Sequence, residues 1–597
     1  MDLGKLISNF LKWRVRHVNE HRFIIFLSIF LGIQIGIIVA ILKSLIYFIK
    51  DLINSEPLSN LVNYFNFVLP ILGVTLTLLI VKWFAGGKLN RGIPFVLYVI
   101  GRNAGIMRSG HMYMQAITSA LTIGFGGSVG LESPGVVTGA AWGSNYGRFF
   151  HLNSRQTTIL IGCGAAAAIA SIFNAPIAGV IFVLEVLLVN VNISFIIPLL
   201  IASVSGTMVS QLLMGEQALF NFSNLEPVGN IDLLFFVGLG LACGFLSVYF
   251  IRAIYVVENK LKSLKNNKQR VAVAGVCLGM LIWIFPTLYG EGYWSVTKLI
   301  IGQPSELLEG SLFRQWENTE WFILLFLFAS MMLKVFATGL TTAAGGVGGV
   351  FAPSMFVGGI CGYLFARIFN LLEAGFVLSE INFTLVGMAG VAAGIMHSPL
   401  TNIFLIAEIT KGYELFVPLM IVAAVSYAVK LYFEPHSYFT KELAKRGDYI
   451  VHDKDKTVLQ DINITKVIER NFVTINEAGK LRDLVEAISR SDRNLFPVVN
   501  DAGELKGIIL LNDVRKVIFK PELYDEEEIK YIMHAPPDVV DINEPMESVM
   551  DKFDQTNAWN LPVLEGGKYA GFLSKSKIFS MYRRQLKRQA RELGQFV

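Results

Sequence analysis

Glu132 is the side chain whose type and position most clearly predict chemistry. It lies in the segment GFGGSVGLESPGVVTGAA, residues 124–141, whose flanks are apolar and rich in glycine. An unpaired carboxylate at the centre of a bilayer costs roughly 2.5 to 3.5 kcal/mol on insertion scales, so a residue of this kind indicates a function. The alternative is a capping glutamate in the first turn of a helix, because Gly130 and Pro134 bracket it as a helix start would.

Composition and charge distribution indicate that Glu132 lies in a membrane. Of 597 residues, 53% are hydrophobic and 16% are charged, so the chain is more apolar and less charged than a soluble domain. Charged residues are sparse between Phe23 and Leu431 and become frequent from Glu434 onward. The sequence therefore predicts an all-α polytopic membrane domain over residues 22–446 and a soluble region over residues 447–597.

Residues 1–21 carry lysines and arginines on an amphipathic pattern, and no small-residue cleavage site follows them. This pattern predicts a cytoplasmic interfacial helix rather than a signal peptide. Positive charge before the first span places the N-terminus inside, and the soluble region is expected inside as well. We therefore expect a multi-pass protein of the cell (inner) membrane with both termini in the cytoplasm.

Some apolar segments are long enough to cross a bilayer and others are too short. A span needs about 20 apolar residues. Sufficient runs occur at residues 23–49, 67–84, 233–257 and 321–340. Shorter runs, interrupted by Gly, Pro or polar residues, occur at residues 112–123, 158–171, 177–189 and 383–396. Broken helices are tolerated in a membrane where they line a cavity, so the short runs predict a polar pathway.

An internal repeat divides the membrane region into two related halves. GAAAAIASIFNAPIAGVIFVLE, residues 164–185, aligns without a gap to GMAGVAAGIMHSPLTNIFLIAE, residues 387–408. A Gly-x-x-x-Pro motif precedes each copy, at residues 130–134 and 349–353. Inverted repeats with broken helices are typical of transporters, whose site lies near the midplane at the repeat interface. Helix packing by small residues explains many of the glycines, but not the paired Gly-x-x-x-Pro motifs.

Three glycine-rich segments, at residues 86–95, 126–135 and 345–354, each lead into a predicted helix start. Free backbone N–H groups at helix N-termini bind anions without needing a full positive charge. A cation pathway would use clustered acidic side chains or a carbonyl filter resembling TVGYG, and the membrane region has neither. The three segments therefore favour anion transport.

These motifs resemble those of the CLC family of chloride channels and chloride/proton exchangers, from about residue 22 to the C-terminus. GLESP at residues 130–134 resembles the family's Gly-(Arg/Lys)-Glu-Gly-Pro, and GVFAP at residues 349–353 resembles its Gly-x-Phe-x-Pro. The resemblance implies that Glu132 is the external gating glutamate, and that the protein is a homodimer in lipid with one chloride path per subunit and no required cofactor. It also implies that the anion binds near the backbone N–H groups of Gly130, Leu131, Val350 and Phe351.

Three positions depart from the family pattern. Arg91 stands in NRGIP where the family has an anion-binding serine. Phe439 aligns with the tyrosine that the family places at its central anion site, although a one-residue slip would put Tyr438 there. Exchangers of the family commonly carry a second, inward-facing glutamate, and here Val186 follows Glu185 at that position. The loss of this carboxylate favours channel-like or proton-uncoupled movement of chloride.

The resemblance leads to a gating hypothesis and leaves alternatives open. We expect ionised Glu132 to compete with chloride for an outer site, so that protonation or displacement opens the path. Chloride/proton exchange by a non-standard internal proton route is the alternative. A membrane-anchored nucleotide sensor is an alternative of another class, which the extensive repeat disfavours. An enzyme is disfavoured because no His-Glu-x-x-His or Ser/His arrangement occurs in the apolar part, and no metal site is expected.

The soluble region contains two copies of a strand and helix pattern, at about residues 463–520 and 529–585, and resembles a CBS pair of α/β fold. In CBS pairs that bind adenine nucleotides, a hydroxyl contacts phosphate and a carboxylate contacts ribose. Here the first copy keeps Asp513 and the second keeps Ser574, so adenine nucleotide is a candidate ligand and a structural dimerisation module is the alternative. The basic segment at residues 583–595 favours a solvated helical face over a nucleic-acid site.

Overall fold

Helices of unequal length make up the membrane part of the chain, because Gly and Pro interrupt its apolar runs at irregular spacing. The computed structural model describes residues 18–55, 67–84, 86, 89–90, 92–102, 105–187, 195–215, 225–229, 231–264, 266–373, 377–446, 462–515, 517–556 and 558–592. The chain divides into two units, Met1–Tyr449 and Ile450–Val597.

The described part of the first unit consists mainly of helices. In chain order they are α1 (Glu20–Asn54), α2 (Leu69–Phe84), α3 (Gly92–Arg102), α4 (His111–Gly124), α5 (Glu132–Phe149), α6 (Ser154–Phe173), α7 (Pro176–Phe182), α8 (Ile196–Met214), α9 (Asp232–Lys262), α10 (Asn267–Ile284), α11 (Tyr293–Ile300), α12 (Glu320–Ala344), α13 (Phe351–Leu371), α14 (Glu380–Met396), α15 (Pro399–Ile409), α16 (Phe416–Phe433) and α17 (Tyr438–Arg446). A π-helical turn, Val183–Leu187, extends α7, and 3-10 turns occur at Pro286–Leu288, Pro304–Leu308 and Arg314–Trp316.

Seven stretches among the described residues are long and apolar enough to cross a membrane. They are Glu20–Ile53, Ser154–Phe173, Ile196–Met214, Asp232–Lys262, Glu320–Ala344, Phe351–Leu371 and Phe416–Ala444.

Two predictions of span length are wrong. Residues 158–171 were expected to fall short of a span, but α6 has 20 residues because Asn153 and Gln156 form a capping box that starts the helix before the apolar run. Residues 67–84 were expected to cross, but α2 has only 16 residues because a turn at residues 67–68 precedes it.

The two copies of the repeat have matching backbones. Helix α6 ends at Asn174 with φ 56°, and α14 ends at His397 with φ 57°, and these two residues align in the sequence repeat. In each copy the first two helices cross through glycine, because a Cβ on Gly139 or Gly358 would collide with a backbone carbonyl of the neighbouring helix. Small residues at such crossings let helices approach closely in lipid. The fold confirms the predicted internal repeat with broken helices.

A carboxylate from each repeat copy caps the third helix of the other copy, which is α7 in the first copy and α15 in the second. The carboxylate of Glu185 accepts hydrogen bonds from the backbone N–H groups of Leu400 (3.1 Å) and Thr401 (2.8 Å) at the start of α15, and from the Thr401 hydroxyl (2.7 Å). The carboxylate of Glu408 does the same for the first N–H groups of α7, at 2.9 and 2.7 Å. A carboxylate at a helix N-terminus satisfies free donors and favours the helix dipole. These contacts therefore join the two halves.

The second unit contains two three-stranded sheets with short helices around them. Its first half contains α18 (Ile464–Val467), β1 (Ile475–Asn476), α19 (Leu481–Ser489), β2 (Leu495–Val499), β3 (Leu505–Leu510), α20 (Leu511–Val514) and a 3-10 turn (Pro521–Leu523). Its second half contains α21 (Ile529–Ile532), β4 (Val540–Asp541), α22 (Met546–Thr556), β5 (Asn560–Glu565), β6 (Lys568–Ser574) and α23 (Lys575–Glu592).

The two sheets have the same topology. In each, the first strand pairs parallel with the second, and the second pairs antiparallel with the third. The halves also exchange edge contacts, because Glu469 pairs with Phe572 of β6 and His534 pairs with Ile508 of β3. The α/β fold predicted for this region is confirmed.

Candidate anion site

Two glycine loops meet where the helices α5 and α13 begin. The backbone N–H of Gly130 donates to the Gly349 carbonyl at 2.8 Å, and the N–H of Gly349 donates to the Gly130 carbonyl at 2.7 Å. Each helix starts two residues later, at Glu132 and Phe351. The first N–H groups of a helix have no partner within it and carry partial positive charge. The paired loops therefore bring two such N-termini together.

The carboxylate of Glu132 lies between these two N-termini. Its side chain is fully buried, and its Oε1 accepts a hydrogen bond of 2.5 Å from the hydroxyl of Tyr293. Its Oε2 is shielded from solvent and accepts no hydrogen bond within the described residues. The side chain folds back over Gly130, where a Cβ would meet both Oε2 and the side chain of Ala352 on α13. The carboxylate thus lies where two helix N-termini meet, and anion binding at this point stays a prediction.

Aromatic rings surround the bond between Glu132 and Tyr293. The ring of Phe173 lies 6.4 Å from that of Tyr293 in an edge-on arrangement, and 5.3 Å from that of Phe351. Phe173 is the last residue of α6, and Tyr293 is the first of α11. The apolar rings exclude water from the Glu132 carboxylate, and the Tyr293 hydroxyl fixes the orientation of that carboxylate.

A third helix N-terminus comes close to the other two. Helix α3 begins at Gly92 with φ 74°, and a Cβ there would lie 3.4 Å from the Ser133 hydroxyl. A Cβ on Gly349 would meet the same serine side chain. Ser133 therefore touches the starts of both α3 and α13. Arg91, predicted to replace the anion-binding serine, lies outside the described residues.

The predicted central-site aromatics lie at the start of α17, which packs against α3 and α14. Phe439 is 3% exposed and belongs to the main apolar core of the unit. The ring of Tyr438 is partly buried and lies 6.1 Å from the ring of Tyr255 and 5.9 Å from that of Phe439. Phe439 is thus the more deeply buried of the two, and its position carries no hydroxyl. Anion contact by either residue stays a prediction.

The predicted inner proton position is Val186, which has no carboxylate, and the carboxylate of the neighbouring Glu185 is held by hydrogen bonds. Val186 is 9% exposed and lies in the π-helical turn after α7. Glu185 precedes it and caps α15, as described above. Leu131, Val350 and Phe351 belong to the same apolar core as Val186, although they lie far from it along the chain.

A cavity of about 780 Å³ borders the site and was not predicted from the sequence. Lys43 and Lys50 of α1, Asn174, Glu291 and Tyr293 are among its lining residues. Lys43 donates to the carbonyls of Ser171 (3.2 Å) and Ile172 (2.6 Å) at the end of α6. The sequence signal was the presence of two lysines in a long apolar run, but only the fold brings them to one cavity.

A buried lysine holds the turn that carries Glu291 and Tyr293. The ammonium group of Lys334 on α12 donates to the carbonyls of Leu288 (3.2 Å) and Gly290 (2.9 Å), and lies 4.8 Å from the centre of the Phe356 ring. Its side chain is fully buried. Lys334 therefore fixes the turn from which Tyr293 reaches Glu132.

In the soluble unit, the two predicted nucleotide contacts have partners of their own. An oxygen of Asp513 lies 2.9 Å from His534 Nε2 and 3.3 Å from the Leu510 backbone N–H, which donates to it. The hydroxyl of Ser574 accepts from the Lys577 backbone N–H at 3.4 Å. Adenine nucleotide binding by these residues stays a prediction.

Inverted repeats, broken helices and a buried carboxylate among helix N-termini define a membrane transport protein. The model of the voltage gated chloride channel family matches residues 73–431, and that of the CBS domain matches residues 464–520 and 528–584. Because the first match covers more than half of the chain, the protein belongs to the CLC family of anion transport proteins.

Individual relatives include both a channel and exchangers. The chain is 27% identical over 366 residues to a ClcB-like chloride channel protein of Ralstonia nicotianae, a match that spans 60% of this chain and 81% of the relative. It is 29% identical over 307 residues to the H(+)/Cl(−) exchange transporter ClcA of Vibrio vulnificus, spanning 50% of this chain and 62% of that one. A slow cyanobacterial Cl−/H+ antiporter shares the fold with a TM-score of 0.61 and 22% identity, over 72% of this chain and 98% of that chain.

Proposed function

We propose that this protein conducts chloride across the membrane without coupling to protons, and that Glu132 is its gate. The observation that carries the proposal is the position of the Glu132 carboxylate, buried between the N-termini of α5 and α13. A carboxylate and a chloride ion compete for the same N–H donors, since both are monovalent anions. The path opens when Glu132 is protonated or displaced.

The surroundings of Glu132 favour an anion over a cation. Two helix N-termini direct partial positive charge at the site, and Leu131, Val350 and Phe351 place buried apolar side chains at these N-termini. Lys43 and Lys50 line the neighbouring cavity, so positive charge also borders the approach. Such an arrangement attracts anions and raises their local concentration. Chloride is the proposed ion, in keeping with the family.

The inner side of the chain supports uncoupled movement. Val186 cannot bind a proton, and the adjacent Glu185 accepts three hydrogen bonds at the start of α15. A carboxylate held in this way caps a helix and has little freedom to carry protons. Chloride/proton exchange remains the alternative function, supported by the similarity to ClcA, and requires an internal route that avoids these residues.

We place both termini in the cytoplasm of a cell whose inner membrane holds a homodimer of this chain. Helix α1 then starts at the cytoplasmic face and extends for about 50 Å at 1.5 Å per residue. Lys43 and Lys50 lie in its second half, so the cavity that they line opens toward the outer face. Chloride from outside would reach Glu132 through this cavity.

The proposal is tested with purified protein in liposomes that hold chloride inside and an impermeant anion outside. Addition of a potassium ionophore should release chloride, measured with a chloride electrode, at a rate far above that of empty liposomes. Replacing internal chloride by fluoride or nitrate measures the anion preference. If chloride release required sodium or potassium to move through the protein itself, the result would contradict an anion pathway.

Loss of the Tyr293 hydroxyl should weaken the closed state. A hydrogen bond to a charged group contributes about 1.5 to 3 kcal/mol, so Tyr293→Phe should raise chloride efflux at alkaline pH by about tenfold. Tyr289→Phe is the matched control, because Tyr289 lines the same cavity but donates to the Gly124 carbonyl at 2.8 Å. Equal effects of the two substitutions would mean that the bond to Glu132 does not hold the gate.

A further inference from the structure

Glu291 is a second carboxylate near the start of α5, half-buried at the edge of the cavity, and the proposed function gives it no role. It lies in the turn Gly290–Gly292, two residues before Tyr293. Its Oε1 is shielded from solvent and accepts no hydrogen bond within the described residues. Its carboxylate lies beside the backbone N–H of Leu131, the residue that precedes Glu132. Two carboxylates therefore share one helix N-terminus.

Charged groups from two helices lie near Glu291. Lys43 and Lys50 of α1 line the cavity together with Glu291, and Lys334 of α12 donates to the carbonyl of Gly290, the residue before Glu291. Lys43 and Lys334 are fixed by hydrogen bonds to backbone carbonyls. The phenol groups of Tyr47, Tyr289 and Tyr293 line the same cavity as Glu291.

The cluster has one positive charge more than it has carboxylates. When all are ionised, three lysines lie near Glu291, and its neighbour Glu132 is the second carboxylate. If an anion takes the place of the Glu291 carboxylate at the Leu131 N–H, the same lysines remain to receive it.

Position along the path separates the two carboxylates. Glu291 and Tyr293 line the cavity, whereas Glu132 lies behind the Tyr293 hydroxyl, in contact with the start of α13. An anion that enters from the cavity therefore meets Glu291 first. Leu131 presents an apolar side chain at this point, so its backbone N–H is the donor that the anion can gain.

We propose that Glu291 is a second gating carboxylate, on the cavity side of Glu132. Ionised Glu291 occupies the Leu131 N–H and excludes the anion; protonation from cavity water or displacement by the anion releases it. This inference rests on the proposed function, because it assumes that chloride passes Glu132. Chloride flux should then depend on external pH through two groups, with Glu132 and Glu291 each contributing to the fall as pH rises.

The test uses full-length protein in liposomes, with chloride flux measured against external pH at constant internal pH. Glu291→Gln should raise chloride flux at alkaline external pH by about tenfold, which corresponds to about 1.36 kcal/mol. It should also make the dependence of flux on pH shallower. The double variant Glu132→Gln with Glu291→Gln should be independent of pH. Glu309→Gln, an exposed glutamate outside the cavity, is the control and should match the wild type.

Two further variants separate gating from structure. Glu291→Asp keeps the charge and should keep a two-group pH profile. Lys50→Gln should act in the opposite direction to Glu291→Gln, by raising the chloride concentration needed for half-maximal flux about threefold or more. If Glu291→Gln cannot be purified in folded form, these two variants decide the question.

The outcomes distinguish this inference from the proposed function. An unchanged pH profile in Glu291→Gln, or a loss of flux in both Glu291→Gln and Lys50→Gln, overturns the role of Glu291 while wild-type flux and the effect of Glu132→Gln stand. Absence of chloride flux in the wild type, or no effect of Glu132→Gln, overturns the proposed function itself.

Discussion

Replacing Glu132 by glutamine is expected to raise chloride efflux at alkaline pH by about tenfold or more and to remove most of its dependence on external pH. Glutamine keeps the shape of the side chain and can still accept the 2.5 Å hydrogen bond from Tyr293, but it carries no charge. An uncharged group competes poorly with chloride for the N–H groups at two helix N-termini. Each tenfold change corresponds to about 1.36 kcal/mol of lost preference for the carboxylate.

The sign of this pH effect follows from which form of Glu132 blocks the path. In the wild type, acidification protonates the carboxyl group, releases the site and raises flux, whereas alkaline pH closes it. Glu132→Gln should therefore keep a high flux at alkaline pH, with only the residual pH dependence that Glu291 contributes. Glu309→Gln serves as the control for loss of an acidic side chain elsewhere. A Glu132→Gln protein with the full wild-type pH profile would contradict the gating role.

The largest effect on stability is expected from the carboxylates that cap the repeat helices in trans. Glu408→Ala leaves the first N–H groups of α7 without the acceptor that now lies at 2.7 and 2.9 Å. Losing such a cap costs about 0.5 to 2 kcal/mol, and hydrogen bonds to a charged group in a partly buried site add to this. We expect a total of about 2 to 4 kcal/mol and a clear fall in the temperature at which the detergent-solubilised protein aggregates.

Because the two repeat copies carry equivalent caps, the effects of Glu185→Ala and Glu408→Ala can be compared directly. Glu185→Ala should destabilise by about 1 kcal/mol more than Glu408→Ala, because Glu185 also accepts from the Thr401 hydroxyl at 2.7 Å. Glu414→Ala removes an exposed glutamate just after α15 and should leave the melting temperature unchanged. If Glu185→Ala and Glu408→Ala both behave like this control, the reciprocal caps do not join the two halves.

Sequence patterns predicted much of the fold because the repeat is local and exact in length. The gapless alignment of residues 164–185 with 387–408 correctly predicted equivalent positions, since Asn174 and His397 have the same backbone conformation. The helix ends were harder to predict, since a polar capping box lengthens α6 and a turn shortens α2. Hydropathy measures the apolar run, whereas caps and turns decide where a helix begins.

The candidate site could be predicted only in part from the sequence. Glu132 could be singled out because its charge stands alone in an apolar run. Its partner Tyr293 lies 161 residues away along the chain, in a segment that no pattern linked to it. The same holds for Lys43 and Glu291, which line one cavity, and for Lys334, which donates to the carbonyl of Gly290 beside Glu291. Contacts between distant segments depend on tertiary packing, which hydropathy and motif spacing do not encode.

Coupling to protons is the central question, and the reversal potential of the purified protein in a planar bilayer or liposome tests it most directly. A fixed chloride gradient is imposed, and the potential is measured with and without an added pH gradient. We predict that the potential follows the chloride gradient alone, because Val186 and the engaged Glu185 offer no inner proton acceptor. A potential that shifts with the pH gradient at fixed chloride would show proton exchange and contradict this account.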